Sequence, residues 1–370
     1  MLATRRGSPL ANAKAYRLLD GLRSQSRARI AGCRRRRIAK TVQVQHQTDG
    51  SIGYSGILSC GSVWSCPVCA TRVCVHRGNE VRAAVERWKE LDPKNIVSML
   101  TLTVRHARGH KLGELRRGLA RAWRKVFAGK AGQARKRRWA IAHSVRALEV
   151  THGENGWHPH FHIALFQTRE TTPEEVDALG ELWCELVAKE LGADCAPNWQ
   201  RGVDYRPLNL TQYLTKLGLE VSSVTKEGRG TSRTPWQIAH AAAAGDKRSR
   251  GLWYEYSEAM RGARQLFWSR DARRFFGLVR EESEYELAQD GPGYVLGEWD
   301  ADTWDSLCKA DPFWVSRVVA AATSDGAAAQ VARLPGVRFL STPGITVPSY
   351  EWPLTPRSAV VSGPLGECHS

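Results

Sequence analysis

Residues 141–166 read IAHSVRALEVTHGENGWHPHFHIALF, and this stretch predicts two antiparallel strands joined by a tight turn. Both flanks are rich in β-branched, aromatic and aliphatic residues, which favour strands. Turn-forming residues separate the flanks, so we predict strands over 141–150 and 157–166, with Asn155-Gly156 as the two-residue turn. The run VSMLTLTV at 97–104 predicts a further buried strand.

Three histidines lie at alternate positions of the second strand: His158, His160 and His162. Because side chains alternate along a strand, all three lie on one face, and the intervening Phe161 and Ile163 point into a core. Isolated histidines are usually incidental, but three imidazoles on one strand face are typical of a divalent metal site.

A carboxylate ligand follows from the register of the hairpin. If Asn155-Gly156 forms the turn, Glu149 pairs with His162, and Thr151 pairs with His160. Directly opposed residues of antiparallel strands share a face, so Glu149 joins the histidines. Zinc fits two imidazoles and a carboxylate, but Mg²⁺ or Mn²⁺ acting on a phosphodiester fits a basic chain better.

The charge of the chain points to a polyanionic partner. Its 370 residues include 54 Lys and Arg against 37 Asp and Glu, a net charge of +17 and a pI near 9.8. Two blocks, residues 1–40 and 105–138, hold 12 and 13 basic residues with one acid each, whereas residues 281–370 are acidic. Such blocks favour phosphate contact. The candidate DNA contacts in the second block are Arg105, His106, Arg135, Arg137 and Arg138.

A second aromatic and basic stretch covers residues 234–276. Its helical spacing is more often that of a core, but Trp253 and Trp268 are candidates for stacking on bases. The sequence has no apolar run long enough for a signal peptide or a membrane span, so we expect a soluble, cytoplasmic protein that makes no membrane contact.

Four cysteines are concentrated in CGSVWSCPVCATRVC, residues 60–74. Cys66 and Cys69 have the spacing of a zinc knuckle, and Cys60 supplies a third thiolate. Disulfides are rare in the cytosol, and a third nearby cysteine favours structural zinc over a redox pair. The fourth ligand is one of three residues: Cys33, Cys74 or His76. We favour Cys33, because zinc there would anchor the arginine run that follows it.

A short helix is predicted over residues 211–217, ending near Gly218. Tyr213 and Lys216 are three residues apart and therefore share a helix face. A phenol with a pKa of about 10 is a poor nucleophile at neutral pH. A nearby ammonium favours the phenolate and can neutralise charge on a phosphate. Tyr and Lys at helical spacing are common, so the prediction of a catalytic pair depends on the histidine strand that precedes it.

Three motifs in chain order, TLTVRH at 101–106, HPHFH at 158–162 and YLTK at 213–216, resemble those of HUH-family nucleases. With the CPVC motif upstream, the chain resembles rolling-circle plasmid replication initiators, the Rep proteins of Gram-positive and actinomycete type, over about residues 30–280. The resemblance implies an α+β fold in which a central antiparallel sheet of the ferredoxin-like or RRM-like kind carries helices on one side.

The resemblance also implies the metal ligands. His160 and His162 would bind Mg²⁺ or Mn²⁺ with an acidic or polar third ligand, which matches Glu149 from the register. His158 would be an additional ligand or a phosphate contact.

The resemblance implies a covalent mechanism at Tyr213. This residue would attack a phosphodiester of plasmid origin DNA, at a single-stranded or hairpin nick site, and form a 5′-phosphotyrosine link. The released 3′-OH would prime the host polymerase, with other host replication proteins as further partners. Lys216 would assist the nucleophile or the phosphate charge.

Two other functions fit these residues. A mobilisation relaxase or a single-tyrosine transposase would use the same chemistry, and a non-enzymatic zinc-containing protein that binds nucleic acid would use none of it. We divide the chain into a basic zinc-binding N-terminal segment, an HUH nuclease core, a helical region that passes from basic to acidic, and a poorly ordered tail. Their bounds are residues 1–90, 91–235, 236–323 and 324–370.

Overall fold

The hairpin of residues 141–166 lies at the centre of a five-stranded antiparallel sheet. The computed structural model describes residues 9–47, 50–211, 213, 232–278, 282–291 and 293–338. The strands are β1 (Thr41–Gln47), β2 (Ile52–Ser55), β3 (Ile96–Thr103), β4 (Ile141–Gly153), β5 (Gly156–Gln167), β6 (Val203–Pro207), β7 (Leu266–Trp268) and β8 (Gly293–Asp300). The large sheet has the order β6-β3-β5-β4-β7, and a second sheet has the order β2-β1-β8.

Helices fill most of the remaining described chain. They are α1 (Pro9–Leu22), α2 (Ala28–Ala31), α3 (Pro67–Leu91), α4 (Leu112–Val126), α5 (Gly129–Arg138), α6 (Pro173–Leu191), α7 (Trp199–Gly202), α8 (Pro235–Ala243), α9 (Lys247–Ala259), α10 (Ala272–Phe275), α11 (Glu284–Leu287), α12 (Ala301–Ala310), α13 (Trp314–Thr323) and α14 (Ala327–Ala332). Short 3₁₀ turns cover Arg23–Gln25 and Ala193–Cys195. None of the described helices combines the length and the apolar character that a membrane span requires.

The predicted hairpin is confirmed, but its turn lies one residue earlier than expected. Gly153 pairs with Gly156, so the two-residue loop is Glu154-Asn155. Gly156 instead begins β5 with φ of 90°, and a Cβ there would lie 3.2 Å from the Cα of Arg108. Only glycine combines this backbone conformation with this close approach.

The earlier turn changes the register of the hairpin by two residues. Glu149 pairs with His160, and Thr151 pairs with His158, so the predicted pairing of Glu149 with His162 was wrong. A shift of two keeps every side chain on its face, whereas a shift of one would reverse all of them. Glu149 therefore remains on the face of the histidines.

Hydrophobic clusters cover both faces of the large sheet. On one face, Leu100 and Ile163 belong to a core that includes residues of α4 and α6. On the other face, Met99 and Ala164 form a smaller cluster with Val81 and other residues of α3. The expectation of helices on one side was therefore wrong, because β3 and β5 carry apolar residues that point in both directions.

The C-terminal part of the described chain is not only helical. Strand β8 pairs with β1, with Trp299 opposite Val42, so the small sheet joins residues distant in sequence. Helix α14 lies within the stretch from residue 324 that we predicted to be poorly ordered. Val331 of that helix is fully buried, which accounts for its order. Residues 339–370 of the predicted tail lie outside the described residues.

Candidate metal and nucleic-acid sites

Three side chains of the predicted metal site meet on the hairpin. Glu149 Oε2 lies 2.8 Å from His160 Nε2 and 2.5 Å from His162 Nε2. Both histidines are buried, Glu149 is half-buried, and the three ligand atoms lie within 4.8 Å of one another. One carboxylate oxygen and two imidazole nitrogens this close together are a ligand set suited to a divalent cation.

The opposite ring nitrogens orient these imidazoles. His160 Nδ1 lies 3.3 Å from the carbonyl oxygen of His158, which can only accept, so this contact favours the tautomer with its hydrogen on Nδ1 and a lone pair on Nε2. His162 Nδ1 lies 3.0 Å from Thr101 Oγ1, and Thr101 is its direct neighbour on β3. Outer contacts of this kind fix the tautomer and orientation of metal-binding histidines. The donor set therefore fits a metal ion.

His158 has a different environment from the other two histidines. Its Nε2 lies 2.5 Å from Thr103 Oγ1, its ring stacks on His106 at 4.7 Å, and it is not part of the three-residue group. Burial, followed by the neighbouring His160, lowers the pKa of His158 to about 3, so this ring is neutral. The alternating threonines of β3 face the histidine strand, and we had not identified them as site residues from the sequence.

Tyr213 lies on the histidine face of the sheet. It shares a buried cluster with Val145, Ala147 and Ala164, and Ala147 is the direct neighbour of His162. The tyrosine is 1% exposed, and its hydroxyl donates to the carbonyl oxygen of Val145 at 3.3 Å. Burial raises the pKa of this phenol. Lys216 lies outside the described residues.

Four cysteine sulfurs form a buried cluster that joins Cys33 to the three cysteines of the CPVC region. Sγ–Sγ distances are 3.6 Å from Cys33 to both Cys66 and Cys69, and 3.7 Å from Cys60 to Cys69. Sulfurs in a tetrahedral zinc site with bonds of about 2.3 Å are separated by about 3.8 Å, whereas a disulfide bond is about 2.05 Å. The distances fit a metal ion held by four thiolates.

Backbone N–H groups hydrogen-bond two of these sulfurs, and hydrogen bonds from the other three cysteines lower the pKa of Cys69. The backbone N–H of Cys60 donates to Cys33 Sγ at 3.3 Å, and that of Ser62 donates to Cys60 Sγ at 3.4 Å. Cys66 is the N-cap of α3, so the positive end of that helix faces the sulfurs. Cys74, an alternative fourth ligand, instead has its sulfur 3.2 Å from Gln265 Nε2.

The candidate DNA contacts occupy two places in the structure. Arg105 is exposed directly after β3, close to His106 and the histidine site. Arg137 and Arg138 are exposed at the end of α5. Arg135 belongs to the same turn, but its guanidinium donates to the carbonyl oxygen of Val126 and stabilises the end of α4.

The structure changes the choice of aromatic residues for base stacking. Trp253 is buried in the core, and Trp268 packs against the smaller cluster, so neither presents an open ring face. Between Trp268 and Leu266 on the edge strand β7, Phe267 is exposed. Its position was not predicted because an edge strand of three residues has too little periodicity to recognise.

Comparison with known proteins identifies related sequences. Residues 59–209 match a family model described as replication protein. A "Protein rep" of Streptomyces lividans is 25% identical, over 72% of this chain and 75% of its own length. A "Protein rep" of Bacillus amyloliquefaciens is 31% identical, over 36% of this chain and 38% of its own length. A "Neomycin resistance protein" of Streptomyces cyanogenus is 30% identical, over 33% of each chain. No solved structure matches with significance.

Proposed function

We propose that this chain initiates plasmid replication by nicking single-stranded origin DNA, since residues 59–209 match the family model described as replication protein. The convergence of Glu149, His160 and His162 within the matched residues carries the proposal. Two of the relatives named above bear the name "Protein rep", and the net charge of +17 suits a DNA-binding protein.

In this proposal, Glu149, His160 and His162 hold Mg²⁺ or Mn²⁺. When bound, such an ion polarises a phosphodiester and offsets the charge that develops on it. The chain's own contribution is orientation, because Thr101 and the His158 carbonyl hold the two rings with Nε2 towards Glu149. A buried, preoriented ligand set loses little freedom when it binds an ion.

Tyr213 is the proposed nucleophile. Its phenol oxygen forms a bond to phosphorus while the P–O3′ bond breaks, and the proton lost by the phenol is balanced by one gained by the 3′ oxygen. The products are a 5′-phosphotyrosine link and a 3′-OH that can prime the host polymerase. Because the hydroxyl is buried against Val145, attack on DNA requires that the side chain leave this carbonyl. Lys216, outside the described residues, is proposed to favour the phenolate.

A structural zinc ion is the second proposed cofactor. Its ligands are Cys33, Cys60, Cys66 and Cys69, whose geometry supports a tetrahedral site. The ion would link the loop of residue 33 to the start of α3, which precedes the large sheet in the chain.

The direct test incubates the purified protein with supercoiled origin plasmid and Mn²⁺, and then denatures it in SDS. We expect nicked plasmid and a covalent protein–DNA adduct, which Tyr213→Phe abolishes. Tyr205→Phe is the matched control, because Tyr205 lies in β6 and its hydroxyl hydrogen-bonds Ser98 and Gln167. Equal adduct from Tyr213→Phe would refute the nucleophile, and full cleavage by the His160→Ala, His162→Ala double variant would refute the metal site.

A further inference from the structure

We propose that Phe267, whose ring lies near the guanidinium groups of Arg146 and Arg264, is a stacking platform for a base of single-stranded DNA. The inference rests on the proposed function and adds to it a surface that binds the strand outside the metal site. No motif or family match points to this residue, which lies beyond the matched residues 59–209.

The platform is built on the edge of the large sheet. Strand β7 is the last strand of that sheet, and Phe267 is directly opposite Arg146 of β4. The ring of Phe267 is 45% exposed. The Cζ atoms of Arg146 and Arg264 lie 5.3 and 5.9 Å from its centroid, which is the range of cation–π contact. An aromatic ring is thus partly exposed to solvent beside two positive groups.

Arg146 has no carboxylate partner among the described residues. Its guanidinium instead lies 4.2 Å from the ring centroid of Phe161 and 5.9 Å from that of Trp123. Burial, followed by the nearby Arg124, lowers the pKa of Arg146 to about 10, so the group is still charged at neutral pH. A cation held by aromatic faces without a compensating acid is suited to a phosphate. The site therefore offers a nucleotide both a stacking surface and a counter-charge.

The surroundings of Phe267 bring together two stretches that are basic in the sequence. Trp123 and Arg124 belong to the block of residues 105–138, whereas Arg264 and Phe267 belong to the aromatic and basic stretch that follows the nuclease motifs. They meet because β7 pairs with β4 beside helix α4. Neither stretch alone identifies a DNA-binding surface, but together they form one patch.

The platform is close to the proposed metal site. Leu266, the residue before Phe267, pairs with Ala147, and Ala147 pairs with His162. Two strand spacings separate β7 from β5, a distance of about 10 Å. Phe267 points to the opposite face, so a strand that leaves the metal site would pass around the edge of the sheet to reach it.

Residues that precede Phe267 in the chain line an open groove that suits an extended occupant. Arg264 and Leu266 contribute to the lining of an open groove of about 1110 Å³. Two exposed tyrosines, Tyr254 and Tyr285, also line it, and Arg29 lies 5.9 Å from the centroid of Tyr285. Aromatic and arginine side chains in one groove suit a single strand, and four glutamates, Glu258, Glu282, Glu284 and Glu286, line the same groove. Open ring faces select unpaired bases, because bases in a duplex already stack on each other.

The test measures binding without cleavage. A fluorescently labelled single-stranded oligonucleotide of about 20 nucleotides, which exceeds the site size of one small domain, is titrated with the full-length, zinc-loaded protein in a buffer that contains no Mg²⁺ or Mn²⁺. We expect Phe267→Ala and Phe267→Leu to weaken binding about tenfold, because each removes the stacking face, and Phe267→Trp to retain it. Arg264→Gln should weaken binding and lower the slope of log K against log salt by about one. Phe313→Ala is the matched control, because Phe313 is 47% exposed on the link between α12 and α13.

Two results would overturn the platform. One is a folded Phe267→Leu variant that binds the oligonucleotide as tightly as Phe313→Ala does, since the leucine still covers Arg146 but cannot stack on a base. The other is an equal loss of affinity for a duplex of the same sequence, which would show that the ring does not read unpaired bases. The titration requires neither Mg²⁺ or Mn²⁺ nor Tyr213. Its result can therefore be interpreted even if the nicking assay fails.

Discussion

The carboxylate of Glu149 lies 2.5 Å from His162 Nε2, although the strand register pairs Glu149 with His160. The same oxygen is 2.8 Å from His160 Nε2, so it faces two imidazoles that are two residues apart on β5. Both opposite ring nitrogens have hydrogen-bond partners of their own. A divalent cation between the three atoms would satisfy all of them at once.

Glu149→Gln should therefore lower Mn²⁺ affinity by at least about tenfold, because it keeps the shape of the side chain and removes its charge. Calorimetric titration with Mn²⁺ measures this change. Glu154→Gln is the control, since Glu154 is exposed in the hairpin loop. Unchanged Mn²⁺ binding by Glu149→Gln would exclude this carboxylate as a ligand.

Thr101→Val should lower Mn²⁺ affinity by about 10- to 100-fold without removing a ligand. The substitution is close to isosteric and removes only the hydroxyl that orients His162 through Nδ1. Thr103→Val provides the comparison, because Thr103 contacts His158, which is outside the three-residue group. If the two variants bind Mn²⁺ equally well, Thr101 has no positioning role.

Cys33→Ser and Cys66→Ser should each lose bound zinc and unfold at lower temperature, because three thiolates hold zinc less firmly than four. Elemental analysis of the purified protein and a thermal melt measure the two effects. Cys74→Ser should retain zinc, since its sulfur contacts Gln265 instead. Zinc retained by Cys33→Ser and lost from Cys74→Ser would reverse the assignment of the fourth ligand.

Asp290→Asn should destabilise the fold by about 3–5 kcal/mol, because it leaves two buried arginines without their counter-charge. The Asp290 carboxylate pairs with both Arg34 and Arg72, in surroundings almost closed to solvent. Chemical denaturation measures the change in free energy of unfolding. Asp305→Asn removes an exposed pair with Arg37 and should change stability by less than about 1 kcal/mol. Equal effects of the two variants would contradict the role assigned to burial.

Glu284 should make the folded state less stable as the pH rises from about 4.5 to about 7. Burial, partly offset by Arg77 and Arg264, raises the pKa of this carboxyl from 4.5 to about 7. The folded state therefore holds a proton that the unfolded state has released across this interval, and stability decreases until the pH exceeds the folded pKa. Unfolding measured at several pH values should show a smaller decrease for Glu284→Gln. The exposed control Glu282→Gln should retain the wild-type slope; an identical slope for Glu284→Gln would refute the effect.

Much of the central sheet could be predicted from local patterns. The strands at 97–104, 141–150 and 157–166 were each predicted to within a few residues of β3, β4 and β5, because alternation and β-branched composition act over neighbouring residues. The hairpin turn was misplaced by one residue, since it depends on the close approach of Gly156 to Arg108, which lies 46 residues before Glu154 of the turn. The prediction that Glu149 lies on the face of the histidines was still correct, because a register shift of two residues keeps every side chain on its face.

The sequence by itself determined that His158, His160 and His162 share a face with Glu149, because the period of a strand is a property of the local backbone. Only the tertiary structure decided that Thr101 orients His162 while His158 turns to Thr103. It also decided that Cys33 joins the CPVC cysteines, and that Phe267 is exposed beside Arg146. These contacts join residues far apart in the chain, and the packing of whole elements sets such contacts, whereas spacing along the sequence does not.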